Sequence, residues 1–154
     1  MHRIGKYYLY GTMGLKQDKA EGLKWYHRAV EAGSGKAAFL LGRCYNRGDG
    51  VDKDHDKAFE YFQKSADLGF IPSFRVVGMF LMENGNIEEA MLNYRKAVMC
   101  GYCNDGLFNT LRNGFKYGVI TKEEYAFTLR ENQKACNEMN SDGRELWKRH
   151  NTSC

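Results

Sequence analysis

The residues most capable of covalent or metal chemistry are five cysteines and four histidines. Cys100 and Cys103 are separated by two residues, which is the spacing of a redox dithiol and of half a zinc site. A redox dithiol opens a helix after a strand, whereas this pair lies between two helical patterns. A zinc site needs two further cysteine or histidine ligands at matching spacing, and no second such pair occurs in the sequence. The sequence therefore predicts free thiols, no metal site and no cofactor.

No other motif in the sequence supplies catalytic chemistry. It contains no glycine-rich nucleotide-binding motif, phosphate-binding loop, nucleophile elbow or HExxH motif. The histidines are isolated from one another, and the acidic pair Glu88-Glu89 stands where a helix begins, as the helix dipole favours. We therefore expect a protein with no catalytic residues, not an enzyme.

The composition is that of one globular domain without a strong charge bias. The chain has 154 residues, a net charge of +4 and 43% hydrophobic residues. This charge is too small to indicate nucleic acid binding, and no apolar run could span a bilayer. Residues 1–14 lack the apolar core of a signal peptide, so we expect an intracellular protein that is not secreted.

The elements that position these residues follow from an internal repeat. Residues 37–72 match the preceding stretch at an offset of 36, so that Gly50 aligns with Gly14. A third copy, 73–101, has lost four residues in a turn, and a degraded fourth copy covers 104–136. Each copy contains two segments with apolar residues at helical spacing, and 17 glycines against one proline suit helices that end at glycine. The predicted helix pairs are 2–10 with 18–32, 36–47 with 54–68, 72–83 with 86–100, and 104–117 with 121–139, followed by a short helix at 141–149.

Polar residues mark the start of every predicted second helix. Asp18, Asn86 and Thr121 are each followed three residues later by glutamate, which predicts three capping boxes, and Asp54 is a further N-cap. The predicted ends of these helices are Gly33, Gly69 and Gly101.

Glycine also recurs inside the first helices, at Gly5, Gly42 and Gly78. Because glycine is unfavourable there, its recurrence predicts a close approach of the paired helix. We expect leucine at position 42 to overpack the repeat, and alanine to be tolerated if the gap admits a methyl group.

The second copy has the pattern Leu41-Gly42-x-x-Tyr45-x-x-Gly48-x-Gly50-Val51, continued by Asp54, Lys57-Ala58, Tyr61-Phe62, Lys64-Ser65-Ala66 and Gly69. This pattern resembles the Sel1-like repeat, a relative of the tetratricopeptide repeat. The resemblance covers residues 4–101 and weakens from Asn104. It implies an all-α, right-handed solenoid of antiparallel helix pairs whose concave face binds proteins or peptides. Ser65 and Ala97 stand where a disulfide-rich branch of the family has cysteines, so that branch is not supported.

The predicted organisation is a solenoid over residues 1–140 with repeats at about 1–35, 36–71, 72–102 and 103–139. Residues 141–154 are predicted to form a capping helix and a tail.

By analogy with tetratricopeptide geometry, groove positions lie two residues before, and two, five and six after, the leucine of each Leu-Gly pair. These offsets also reach His2, Leu9, Glu83 and Tyr117. The predicted partner-binding residues are Lys6, Tyr10, Phe39, Arg43, Asn46, Arg47, Arg75, Met79, Met82, Asn113 and Lys116. Because the set is rich in cations and in adaptable apolar side chains, the expected partner is an acidic and apolar peptide or helix.

The function most strongly indicated is a non-enzymatic scaffold or adaptor for protein–protein interaction. The main alternative is a structural subunit of a larger assembly, held through its convex face or its ends. An enzyme acting through cysteine would require a thiol of low pKa. RNA binding is a further alternative, and its affinity would fall steeply as the salt concentration rises. We expect no nucleic acid partner, and the oligomeric state is left open.

Overall fold

The computed structural model describes residues 1–102 and 105–138, and within these ranges the chain forms eight α-helices and no strand. They are α1 (His2–Tyr10), α2 (Lys19–Glu31), α3 (Gly35–Arg47), α4 (His55–Asp67), α5 (Pro72–Glu83), α6 (Ile87–Met99), α7 (Asp105–Lys116) and α8 (Lys122–Glu138). The eight predicted helices agree with these bounds to within one residue at each end. The predicted helix at 141–149 and Cys103 lie outside the described residues.

The helices form consecutive pairs, in which α1, α3, α5 and α7 are the first helices and α2, α4, α6 and α8 the second helices. The chain divides into two compact units, Met1–Ser73 and the part from Phe74 onward. The first unit thus contains the pairs α1–α2 and α3–α4.

Glycine ends the second helices as predicted. Gly33, Gly69 and Gly101 have φ values of 82°, 77° and 79°, in the left-handed region that favours glycine. After α2, the Gly33 N–H donates to Val30 O and the Ser34 N–H to Ala29 O, each at 2.9 Å. This pattern is a Schellman motif, and it recurs after α4 and α6.

The glycines inside the first helices admit an aromatic ring from the second helix. A Cβ atom at Gly42 would lie 2.8 Å from the Phe62 ring and 3.1 Å from Ala58 O. At Gly5 and Gly78 the corresponding ring atoms would lie 2.6 and 2.5 Å away. The predicted close approach is confirmed, but the gap at Gly42 does not admit the methyl group of alanine.

Of the three predicted capping boxes, the one at Thr121 is reciprocal, whereas at Asp18 only the cap bond forms, because the Asp18 N–H donates to Tyr8 O at 2.8 Å. Asp18 and Asp54 each accept a hydrogen bond at 2.9 Å from the backbone N–H three residues on, from extended backbone with φ near −140°. The capping box predicted at Asn86 is wrong: with φ −81° and ψ 66°, its side chain makes no cap hydrogen bond. A cap that the sequence analysis missed is Ser34, whose hydroxyl accepts from the Ala37 N–H at 3.2 Å.

Polar side chains bind α8, the second helix of the last pair, to α6. The Arg95 guanidinium pairs with the Glu124 carboxylate and donates to the Thr128 hydroxyl at 3.0 Å. Deeper in the unit, the Asn132 amide donates to Val98 O at 2.6 Å. These bonds fix α8 against α6 where the repeat pattern is weakest.

Candidate functional site

The first unit contains a cavity of about 620 Å³ between its two first helices, α1 and α3. It is built on the close packing at Gly5, because that packing places Tyr26 of α2 behind α1. The residues lining it are basic, aromatic or aliphatic: His2, Arg3, Lys6, Tyr7, Tyr10, Tyr26, Lys36, Leu40 and Arg43.

The electrostatics of this cavity are positive. Among the residues that the structure describes, no aspartate or glutamate lines it, and no carboxylate pairs with Arg3, Lys6, Lys36 or Arg43. Burial lowers the pKa of His2, and the charges of Lys36, the N-terminal amine and Arg3 lower it further. The cavity therefore disfavours one more positive charge and favours a negative one.

Tyr26, which lines the cavity, has a buried hydroxyl that is an unused hydrogen-bond donor. Its side chain is 1% exposed, and its buried hydroxyl has no hydrogen-bond partner among the described residues. Burial raises the pKa of Tyr26, so the hydroxyl is a neutral O–H group. A buried polar group without a partner is destabilising, and a ligand that accepts its hydrogen bond removes that cost.

The second unit has a smaller cavity of about 210 Å³ at the corresponding positions, between α5 and α7. Its lining residues are Arg75, Met79, Tyr94, Gly106, Leu107 and Thr110. Arg75 and Met79 occupy the repeat positions of His2 and Lys6, and Tyr94 that of Tyr26. Among these lining residues Arg75 alone is charged, and its guanidinium lies 2.9 Å from Met79 Sδ.

The predicted partner-binding residues separate into three groups. Lys6, Tyr10 and Arg43 line the first cavity, and Arg75 and Met79 line the second. The remaining six line neither: Phe39, Asn46, Arg47, Met82, Asn113 and Lys116.

Two of the predicted groove positions contribute to packing. The Phe39 ring lies 5.4 Å from that of Phe62 and 5.2 Å from that of Phe70. The offset that selected Leu9 is wrong there, because Leu9 is 1% exposed and belongs to the core of the first unit. The fifth residue after the leucine thus faces the second helix rather than the cavity in this repeat.

The sequence analysis missed Arg3, Tyr7, Tyr26, Lys36 and Leu40. A signal for Tyr26 was present in the sequence, since the second repeat has Phe62 at the same position. A hydroxyl added to a core aromatic position indicates a place where a polar group is needed.

The cysteines give no sign of catalytic or metal chemistry in the described ranges. Cys44 and Cys136 are buried and Cys100 is exposed, and the Cys136 thiol donates to Asn132 Oδ1 at 3.7 Å. Burial raises the pKa of the Cys44 thiol to about 11, which makes it unreactive at neutral pH. No group of cysteine, histidine or acidic residues in residues 1–102 and 105–138 could hold a metal ion.

The repeat pattern is matched by a known family. The family model for the Sel1 repeat matches residues 1–34, 35–70 and 79–102. The chain belongs to the Sel1 repeat family. A crystal structure of a Sel1 repeat protein from Oxalobacter formigenes has the same fold over 92% of this chain and 58% of that chain, with a TM-score of 0.64 and 21% identity. The Sel1 repeat chain is therefore an all-α solenoid of antiparallel helix pairs.

Two relatives have functional names. Chitin synthase regulatory factor 1 of Schizosaccharomyces pombe is 29% identical over 104 residues, which is 66% of this chain and 23% of that protein. The ERAD-associated E3 ubiquitin-protein ligase component HRD3B of Arabidopsis thaliana is 41% identical over 68 residues, 44% of this chain and 10% of that protein. The chain thus spans less than a quarter of the length of either relative.

None of the helices in the described part of the chain is both long and apolar enough to cross a bilayer.

Proposed function

We propose that this Sel1 repeat chain is a non-enzymatic adaptor that binds an acidic and apolar segment of a partner protein through its first helices. The proposal rests chiefly on the cavity of the first unit, where the predicted residues Lys6, Tyr10 and Arg43 meet without a neutralising carboxylate. It is supported by the relatives, one named as a regulatory factor of chitin synthase and the other as a component of a ubiquitin ligase. We propose an intracellular location, with no cofactor and no nucleic acid partner.

Considered by itself, the cavity of the second unit suits apolar side chains of a partner. Met79 is exposed and unbranched, so it adapts to varied apolar partners, while Arg75 beside it supplies a cation. Met82 is half-buried on the same helix. The proposed segment therefore combines acidic and apolar side chains.

A structural role in a larger assembly is the second candidate, and it is favoured by apolar side chains exposed on second helices. Leu92 on α6 and Phe127 on α8 are 46% and 44% exposed. Burial of such residues against a neighbouring subunit would stabilise an assembly. In that case the binding surface lies on the second helices.

Capture of partners from native lysate, followed by mass spectrometry, separates the two candidates. The test variant is Arg43→Glu/Arg75→Glu, and Lys64→Glu/Lys122→Glu on exposed positions of second helices is its control with the same change in net charge. We expect the first variant to lose the partner and the control to retain it, both with a melting temperature near that of the parent chain. If the first variant binds normally while Leu92→Glu/Phe127→Glu abolishes binding, the adaptor proposal is wrong and the assembly role replaces it.

A further inference from the structure

We infer that the cavity between α1 and α3 receives a phosphate group on a phosphorylated side chain of the bound peptide. This inference rests on the proposed function, because it names the chemistry of the acidic partner at one of its two cavities. It concerns the first unit only.

The number of positive charges is the first argument. Arg3, Lys6, Lys36 and Arg43 line one cavity, and the described residues offer them no acidic partner. Cations held together without a counter-charge repel one another, and a ligand with more negative charge relieves more of that repulsion. A phosphate monoester has a charge of about −1.5 to −2 at neutral pH and three strong acceptor oxygens, whereas a carboxylate has a single charge. The charge of the cavity thus matches phosphate better than a glutamate side chain.

The hydroxyl of Tyr26 is the second argument, and it is independent of the charges. Tyr26 lines the cavity and is itself 1% exposed, so it belongs to the inner wall. Its hydroxyl has an available proton and no partner in the described structure. Solvent does not reach this hydroxyl in the ligand-free structure. A phosphate oxygen would accept its proton in a hydrogen bond only where the bound phosphate opens this wall, while the other oxygens face the guanidinium and ammonium groups.

The size and remaining walls of the cavity suit a side chain that ends in phosphate. The volume of about 620 Å³ exceeds that of a phosphate group alone, and Tyr7, Tyr10 and Leu40 supply apolar surface for the stem or ring that bears it.

The fold itself does not require these cations. At the same repeat positions the second unit has Met79 in place of Lys6 and Gly106 in place of Lys36. The helix packing is thus compatible with a cavity whose lining has one cation, Arg75, so the additional basic residues of the first cavity need a separate explanation. A bound dianion supplies it.

The test uses three probes of equal backbone, the N-acetyl amides of phosphotyrosine, phosphoserine and glutamate, titrated into the full chain by calorimetry at constant ionic strength. We expect at least one phosphorylated probe to bind about ten-fold or more tightly than the glutamate probe. Tyr26→Phe should weaken that binding about ten-fold or more, since it removes a hydrogen bond to a charged group. Lys6→Met should weaken it as well, and Lys64→Met on α4 should leave it unchanged.

Tyr26→Phe also has a signature that a purely structural role would not give. Because the substitution removes a buried hydroxyl that has no partner, the ligand-free protein should keep or slightly raise its melting temperature while it loses phosphate affinity. A protein that needs this hydroxyl for packing alone would instead lose stability and bind each probe as before.

Equal affinity for the glutamate probe, or phosphate binding that survives both Tyr26→Phe and Lys6→Met, would overturn the inference. The adaptor proposal is tested separately. A captured partner that depends on Arg43 and Arg75 but binds equally well after phosphatase treatment refutes the phosphate site and leaves the adaptor proposal intact.

Discussion

Close packing in each repeat depends on single residues at the contact between first and second helices. In the second repeat that contact is Gly42 against Phe62, whose ring is 2% exposed and cannot move into solvent. The backbone oxygen of Ala58 bounds the same space. A side chain at position 42 therefore has to displace a buried ring or separate two helices.

Gly42→Ala should lower the free energy of unfolding by about 1–2 kcal/mol, because overpacking outweighs the gain in helix propensity of about 1 kcal/mol. Gly42→Leu should lower the free energy of unfolding further than Gly42→Ala does. The control is Gly114→Ala on α7, where the nearest atom to a new Cβ would be the flexible Met91 Sδ at 3.0 Å. We expect the control to be neutral or stabilising in urea denaturation. Similar stabilities for the two alanine variants would contradict the packing argument.

A buried pair of serines lies near the end of the first unit. The Ser65 hydroxyl donates to Gly35 O at 2.7 Å and lies 2.6 Å from the Ser73 hydroxyl. Since Ser65 has only one hydroxyl proton, Ser73 must be the donor in the second bond.

Ser65→Ala should therefore be more destabilising than Ser73→Ala. The first change removes the side-chain bond to Gly35 O, which keeps its helical partner, and leaves the buried Ser73 hydroxyl without a partner at a cost of about 1–3 kcal/mol. The second change leaves the Ser65–Gly35 bond intact. Thermal unfolding of the two variants and of the double variant gives the comparison. An equal loss in both single variants would show that the proton assignment is wrong.

At the scale of the helix, the N-caps differ in backbone geometry more than in residue type. Ser34 accepts a hydrogen bond from the Ala37 N–H, whereas Asn86 makes no cap bond although asparagine is a favoured capping residue. The conformation of the preceding turn decides which side chain reaches the free N–H groups.

Ser34→Ala should cost about 1 kcal/mol of stability, which is typical of a lost N-cap bond. Asn86→Ala should change stability by no more than a few tenths of that amount, because there is no bond to lose. Urea denaturation of both variants measures the difference. A larger effect at Asn86 than at Ser34 would refute this ranking.

The contribution of the first turn of α8 to the stability of the fold depends on pH. Its capping box is reciprocal: the Glu124 N–H donates to the Thr121 hydroxyl, and the Thr121 N–H donates to the Glu124 carboxylate. The hydrogen bond from the Thr121 N–H, together with the Arg95 guanidinium, lowers the pKa of Glu124 below its usual value. Since the folded-state pKa is the lower one, this carboxylate stabilises the fold above the unfolded-state pKa, and the contribution is lost as pH falls through the folded-state pKa.

We expect the stability of Glu124→Gln to fall less than that of the parent chain between pH 6 and acid pH. Measurement of urea midpoints across this range gives the two slopes, and NMR titration of the carboxyl carbon gives the pKa directly. A Glu124 pKa at or above the value for an unfolded peptide would contradict the structural account.

At the scale of the molecule, the two compact units each have their own buried residues. Leu41 and Tyr26 belong to the core of the first unit, while Tyr94 and Leu111 are buried in the second. In repeat proteins, stability is approximately a sum of local terms and nearest-neighbour contacts. A destabilising substitution should therefore lower the local stability of its own unit more than that of the other unit.

Gly78→Ala places a Cβ atom 2.5 Å from the Tyr94 ring and should loosen the second unit. We expect hydrogen–deuterium exchange to accelerate in α5–α8 by more than in α1–α4. Exchange that accelerates uniformly from α1 to α8 would show that the chain unfolds as a single cooperative block.

The sequence by itself determined the helix pairs, their ends and the close contacts at Gly5, Gly42 and Gly78. These features repeat along the chain and depend on local periodicity and glycine geometry, which a sequence displays directly. The analogy with tetratricopeptide geometry, applied at the repeat positions, also selected Lys6, Tyr10 and Arg43.

Only the tertiary structure brought Arg3 and Lys36 to those three residues, because the packing of α1 against its neighbours sets which side of each helix faces the cavity. It alone showed that the Tyr26 hydroxyl is buried without a partner. It also showed that Leu9 is buried in the core and that the Asn86 side chain makes no cap hydrogen bond. Each of these outcomes depends on a helix rotation or a turn conformation, which distant contacts fix and no short stretch of sequence encodes.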